Sequence, residues 1–326
     1  MNSAFRIRQR PTLILLGAVL LLSVLSYGKP YWLDNSIVIA IFSLLALSVG
    51  LCYGQAGILS MATAAFASVG AFGTAVLTTR YGQSPYVGLL FAVVAPVLLA
   101  YPLARALTRL SPLPLSIATF MISSLIELAV HEGGELTGGY IGISAIPRLS
   151  LAPTAQSMHF LSWGCVLVTV YLYVNLMRST YGRAINTARH DPLRASADGV
   201  GVPHLLASTF AVSAAIAGVG GWLYAHHLTY MGPDSMTTNV SIQVLLMAVI
   251  GGAQTILGPI VGAAMLLLVT LYLPAAETQG MVFGGTLVFV LMVAPRGLLG
   301  TEWRALMRRR IFARTPTTTV KPGVKA

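Results

Sequence analysis

Carboxylates are scarce in this chain: nine acidic residues stand against twenty Lys and Arg over 326 positions, and charged residues of both signs make up only 9%. A water-soluble domain carries about 25%. That shortage, with a mean hydropathy of +0.79, excludes an ordinary soluble globule and places the chain in a lipid bilayer. Cysteine is nearly missing too. Cys52 and Cys165 sit in the apolar runs "LSVGLCYG" and "LSWGCVLV", where a thiol behaves as a small hydrophobe, so neither a disulfide framework nor a redox pair is expected.

Motifs for bond chemistry are also lacking. The only Gly-Lys pair, Gly28-Lys29, runs into Pro30, so no GxxxxGK[ST] loop exists and the chain cannot hydrolyse a nucleotide by that route. "HEGGE" at 131–135 lacks the second histidine of a zinc-protease helix, and Gly133-Gly134 would break the helix that should carry both ligands. His226 and His227 are adjacent and point in different directions on a helix; they read as interfacial polar residues at the outer end of a span. Glu127 is the sole acid inside an apolar segment, so proton-coupled transport is not expected. No cofactor, metal or nucleic acid is implied.

What is present in quantity is long apolar sequence. A bilayer core about 30 Å thick takes roughly 20 residues per helical span. Apolar segments run over 12–27, 36–79, 86–104, 113–131, 160–177, 205–225, 240–273 and 281–295. They predict an all-α, polytopic membrane protein with about ten (8–10) transmembrane helices. The start, "MNSAFRIRQR" before "PTLILLGAVLLLSVLSYG", has the layout of a secretory signal, with Ser26 and Gly28 at cleavage spacing. Further hydrophobic segments follow at once, so it reads as an uncleaved first span.

Charge then sets the topology. Lys and Arg fall at 6, 8 and 10, at 105 and 109, at 178, 183, 189 and 194, and eight times between Arg296 and Lys325, seventeen of the twenty in all. By the positive-inside rule those regions are cytoplasmic, including a segment 1–11, a loop 178–204 and a basic tail 296–326 around a transmembrane domain 12–295. The other connections, 28–35, 80–85, 132–159, 226–239 and 274–280, hold only Lys29, Arg80 and Arg148 against five acids and read as the outer face.

Both long blocks, 36–79 and 240–273, therefore begin and end outside, so each crosses an even number of times or dips in and returns. Their midpoints carry "GQAGILS" (54–60) and "GGAQTILGP" (251–259). Glycine and proline at membrane depth break a helix, and the freed backbone is tolerated only where protein buries it or a cavity receives it. Span, broken block, span occurs twice in one orientation, which suggests a parallel internal repeat. Paired interrupted segments of this kind point to a transport pathway. The alternative is that glycines such as Gly258 and Gly262 only let helices pack closely. The expected pathway-lining residues are Gln55, Gly57, Ser60, Gln243, Gly251, Gly252 and Gln254.

One stretch departs from the apolar background: "YGRAINTARHDPLRASADGVGV", 181–202. Asp191 is a good N-cap, Pro192 is suited to a first helical position and Gly199 to a stop, which predicts a short cytoplasmic helix over 192–198. A rigid lever for a separate ATPase is one use of such a helix; the other is a solvated connector whose arginines grip anionic lipid headgroups.

Four stretches, "GQAGILSMATAAFASVGAF" (54–72), "LTGGYIGISAIP" (136–147), "YGRAINTARHDPLRASADGVGV" (181–202) and "SIQVLLMAVIGGAQTILGPIVGAAML" (241–266), resemble the permease subunits of bacterial branched-chain amino-acid ABC importers, the LivM-type subunit in particular. The resemblance implies an inner-membrane permease that moves leucine, isoleucine and valine. It implies partnership with a homologous second permease, two cytoplasmic ATP-binding subunits and a periplasmic substrate-binding protein facing the outer loop 132–159. It also makes 181–202 the ATPase-coupling loop, with Arg189, Asp191, Pro192, Arg194, Ala195, Ser196, Asp198 and Gly199 as its contact residues. Departures bear on cargo: Ile58 stands where the family usually has glutamine, "ATAAF" (62–66) where it has Gly-His-Ala-Ala-Phe, Tyr140-Ile141 where a small polar pair follows Thr-Gly-Gly, and Ser196 where glutamate is common. Urea or a short amide is the alternative cargo. A membrane-embedded enzyme would need a convergent polar cluster within the spans, which the sequence does not offer.

Overall fold

The computed structural model describes residues 10–25, 28–107, 110–271, 284, 285, 288, 292 and 297–300. All but the last two residues of the expected segment 1–11, the expected outer connection 274–280, most of the last span 281–295 and the tail beyond 300 lie outside those residues.

In chain order the helices are α1 (Arg10–Leu25), α2 (Pro30–Val49, extended by a π-helical turn Gly50–Gln55), α3 (Thr63–Thr79), α4 (Pro85–Leu107), α5 (Pro112–His131), the single turn α6 (Gly134–Thr137), α7 (Ala155–Arg178), α8 (Thr180–His190), α9 (Pro192–Ala197), α10 (Val202–Leu228), α11 (Thr238–Gly251) and α12 (Gly258–Leu271). A 3₁₀ turn, Pro233–Met236, precedes α11. Among the described residues the only extended pairing is one antiparallel bridge, Ile143 with Met231. Five helices are long and apolar enough to cross a membrane: α2 with its extension, α4, α5, α7 and α10. Three shorter apolar helices, Pro11–Ser23, Thr63–Thr79 and Gly258–Leu271, join them.

The sequence boundaries shift in places. α2 begins at Pro30 rather than at 36, because proline at a first helical position starts a helix ahead of the purely apolar stretch. α7 begins at Ala155, inside the expected outer loop 132–159, because Thr154 and Ser157 form a capping box. α10 covers Val202–Leu228 rather than 205–225. Pro96 and Pro102 both lie inside α4; neighbouring helices and local adjustment make such prolines tolerable in apolar spans.

α2 is the central post. In its most apolar stretch 78% of residues are buried, against 28% for α4 and α5, and Ile37, Ile41, Leu44, Leu45 and Leu47 are fully enclosed. α3 and α10 pack so closely that a Cβ on Gly70 would lie 2.6 Å from the Gly218 carbonyl oxygen, the small-residue contact by which membrane helices gain van der Waals packing without a hydrophobic drive. The outer sides of α4 and α5 present Leu90, Leu98, Leu113 and Leu125, each more than 60% exposed, as lipid-facing surfaces do.

Of the connections assigned to one face, 28–35, 132–159 and 226–239 meet one another. Glu127 Oε2 accepts from Thr238 N at 2.8 Å and from Thr238 Oγ1 at 2.7 Å, capping α11. His227 Nε2 lies 3.1 Å from Asp34 Oδ1 and His131 Nε2 3.6 Å from Asp234 Oδ1. Ile143 and Met231 exchange backbone bonds, and Tyr230 donates to Ile141 O at 2.9 Å. The histidine pair differs from the expected interfacial one: His226 is 2% exposed, between Thr74 Oγ1 at 3.1 Å and Pro147 O at 2.7 Å. It pins the 132–154 loop onto α3 and α10, because a buried imidazole needs partners for both nitrogens.

Candidate translocation and coupling site

The two interrupted blocks meet at their breaks. α2 ends in the π-helical turn, and residues 56–62 then run without regular helix to α3. α11 stops at Gly251, and residues 252–257 turn into α12. Gln55 Nε2 donates to Gln254 O at 2.9 Å across the junction. Gly54 lies so close to the other break that a Cβ there would sit 1.8 Å from Ala253 O. Gly252 takes φ +105°, a left-handed turn that ends α11. Its neighbours Ile250 and Gly251 leave terminal carbonyls that accept from Leu298 N at 2.9 Å and Leu299 N at 3.1 Å, so the segment after the last expected span closes this end.

The expected pathway residues therefore fall at two levels. Gln55, Gly57, Gly251, Gly252 and Gln254 gather around the junction of the breaks. Ser60 lies farther along the irregular segment, where its Oγ accepts from Ala62 N at 3.2 Å and the next residue, Met61, donates from its amide to Thr119 Oγ1 on α5 at 3.1 Å. Gln243 is half-buried on α11, two residues from the buried Ser241 and so on a different face of the helix. Thr63, Thr119 and Ser241 surround the start of α3; sequence reasoning noted Thr63 only as a departure from the family pattern and missed Thr119 and Ser241. All three are single hydroxyls spread over three segments and form no local pattern.

The loop 178–204 holds two helices, of which only the shorter was expected. α8 was legible in the spacing of Gly182, Ile185 and Ala188, all buried on one face, but its polar residues read as a connector. Ser179 caps it, accepting from Gly182 N at 3.4 Å. The Tyr181 hydroxyl reaches Leu205 O at 3.2 Å and the Ser208 and Thr209 hydroxyls, fastening α8 to α10.

α9 follows with the expected cap: Asp191 Oδ1 accepts from Arg194 N at 2.9 Å, and Gly199 takes φ +82° as the stop. Ser196 Oγ donates to Pro192 O at 2.9 Å. Ala195 is fully buried beneath the helix, while Leu193 is 84% exposed at its tip, with Pro192, Arg194, Ser196 and Asp198 exposed around it. Between α8 and α9 a cleft of about 550 Å³ is lined by Arg183, His190, Asp191, Arg194 and Asp198 among others. Arg189 turns the other way. Its Cγ lies 3.4 Å from where a Gly57 Cβ would be, so the cytoplasmic-type loop touches the first broken helix directly.

Among the described residues no group of three or more His, Cys, Asp or Glu could hold a metal ion.

A multi-pass helical membrane protein built round two interrupted helices, with a capped helical loop against their junction, has the architecture of a transport permease. The chain belongs to the family described as the permease component of the branched-chain amino acid transport system, whose model matches residues 32–291. The high-affinity branched-chain amino acid transport system permease protein LivM of Escherichia coli (strain K12) is 27% identical over 300 residues, spanning 82% of this chain and 69% of the relative. A probable branched-chain amino acid transport permease protein LivH of Methanocaldococcus jannaschii is 26% identical over 305 residues, 86% of this chain and 96% of the relative. The LivH protein of Salmonella typhimurium is 30% identical over 138 residues, 41% of this chain and 44% of its own. No solved structure matches the chain.

Proposed function

We propose that this chain is a permease subunit of an ABC importer that carries leucine, isoleucine and valine across the bacterial inner membrane, using ATP hydrolysed by separate subunits. A homologous second permease, two ATP-binding subunits and a periplasmic binding protein complete the machine. The observation that carries the proposal is mechanical: the junction where Gln55 meets Gln254 is touched, through Gly57 and Arg189, by the same loop that presents α9 outward. Motion imposed on α9 would reach the two breaks through packed side chains, without a soluble hinge between them. Matches to both LivM-named and LivH-named permeases suit a pathway formed between two homologous chains. The cytoplasmic N-terminal segment, permease domain 12–295 and basic tail remain the proposed layout, with about ten crossings, both termini inside, and arginines of the loop also meeting anionic lipid.

Topology is tested by thiol labelling. Single cysteines at the exposed Ser84 and Gln156 are expected to react with an impermeant reagent outside sealed cells, and ones at Ser111, Ser196 and Thr317 are not. Reaction at Ser196 from outside would overturn both the arrangement and the coupling assignment.

Cargo is tested by competition. Interrupted helices offer backbone groups to the ammonium and carboxylate of a zwitterion without stranding a fixed charge in the membrane. An apolar pocket separates solutes that differ by one methylene by only about 1–3 kcal/mol, so leucine, isoleucine and valine should compete for uptake. Exchanging the binding protein should alter the preference more than Ile58→Gln does. Energised uptake of urea or a short amide that excess leucine fails to inhibit would move the cargo to amides, with Ile58 and Thr63 as the adaptation.

A further inference from the structure

α3 begins inside the protein rather than at a membrane surface. Met61 N donates to Thr119 Oγ1 at 3.1 Å, in the middle third of α5, and Ala64 N donates to Ser241 Oγ at 2.9 Å, one turn into α11. The opening turn of a helix leaves amides without intrahelical partners. Phe66 N reaches Ala62 O at 3.1 Å and Ala62 N reaches Ser60 Oγ at 3.2 Å. The amides of Thr63 and Ala65 meet no acceptor among the described residues.

Hydroxyls at the same place share that deficit. Thr63, 6% exposed, has no hydrogen-bond partner among the described residues. Thr63 is the first residue of α3, and side chains tilt toward a helix N-terminus, so its Cβ leans toward the end where the free amides lie. Ser60 and Ser241, 7% and 1% exposed, each accept from a backbone amide, but their own protons meet no acceptor. Two amides and three hydroxyls are thus donors lacking an acceptor, at the positive end of a 17-residue helix. Leu59 and Met61, both half-buried, flank the segment.

Several donors close together in the fold, none with an acceptor, call for a group that only accepts, and an ionised carboxylate has about four lone-pair sites for them. None of the residues making these contacts is charged. A bare anion would be stranded there, whereas a zwitterion brings its own ammonium. We propose that the N-terminus of α3, with Ser60, Thr63 and Ser241, is the subsite that holds the carboxylate of the transported amino acid. This rests on the amino-acid cargo proposed above and names the group that is gripped. Solutes lacking the carboxylate, such as leucinol or leucinamide, should not be gripped.

The complete importer, reconstituted in ATP-loaded vesicles with its binding protein and radiolabelled leucine, provides the test. Thr63→Val combined with Ser241→Ala should lower leucine uptake roughly tenfold or more, since hydrogen bonds to a charged group are the strong ones. Thr63→Ser, which keeps the hydroxyl, should retain uptake. A folded double variant with unchanged uptake overturns the subsite and leaves the cargo standing. Absence of leucine uptake by the unaltered importer overturns the cargo instead, and the named occupant with it. Should the double variant fail to assemble, Thr63→Cys decides: leucine slowing its reaction with a thiol reagent, where leucinol does not, supports the subsite, and no protection by leucine overturns it.

Discussion

Deleting α9, or replacing Gly199 with proline, is expected to abolish solute uptake by the assembled importer while the soluble binding protein keeps its affinity for solute. Gly199 sits at φ +82° and its amide donates to Ser196 O at 3.1 Å; the next amide, of Val200, returns to Ala195 O at 3.0 Å. Proline holds φ near −65° and has no amide proton, so the substitution breaks the turn and removes one of these bonds together. α9 would then swing free of the surface that buries Ala195, and Leu193 would no longer be presented at a fixed place. The ATPase should co-purify with the membrane less readily. Neighbouring changes should be milder: Asp191→Ala removes a cap worth about 1 kcal/mol, and Arg194→Ala removes a surface charge whose pairing is worth roughly 0–1 kcal/mol. Uptake that survives Gly199→Pro would sink the lever.

The other large effect is expected at the junction of the breaks. Gly54→Ala places a methyl 1.8 Å from Ala253 O and 2.6 Å from its carbonyl carbon, an overlap with backbone that no rotamer change relieves. Overpacking a well-filled core costs about 1–3 kcal/mol, occasionally more, and here relief requires the two interrupted helices to part, which also stretches the Gln55 to Gln254 bond. Both thermal stability in detergent and uptake should fall sharply. Gly164→Ala supplies the control, because a Cβ there meets nothing within 4 Å. Equal stability and uptake for Gly54→Ala and Gly164→Ala would show that the close approach of the breaks is dispensable.

Much of this architecture could be read from residue order. Apolar length marked the five long helices, and two connections that charge assigned to one face, 28–35 and 226–239, do meet, through Asp34 and His227. Periods of 3.6 and runs of apolar residues are local, so they survive in a single sequence. The capped helix after Asp191 was legible for the same reason, since a cap is a bond between near neighbours. α8 was missed although its buried spacing was visible, because Thr180–His190 is polar enough on its other face to pass for a loop.

What the sequence determined by itself is the class of molecule: an all-helical membrane chain, two glycine-interrupted blocks, and a basic loop with a short helix. Only the tertiary structure decided what those features are for. Gly54 against Ala253, Gln55 on Gln254, Arg189 against Gly57 and Ser241 on Ala64 join residues more than a hundred positions apart, and no periodicity encodes such pairs. Nor could a string of letters distinguish a satisfied amide from an orphan one. That depends on which hydroxyl a distant helix brings within about 3 Å, and at the start of α3 the packing leaves Thr63 without one.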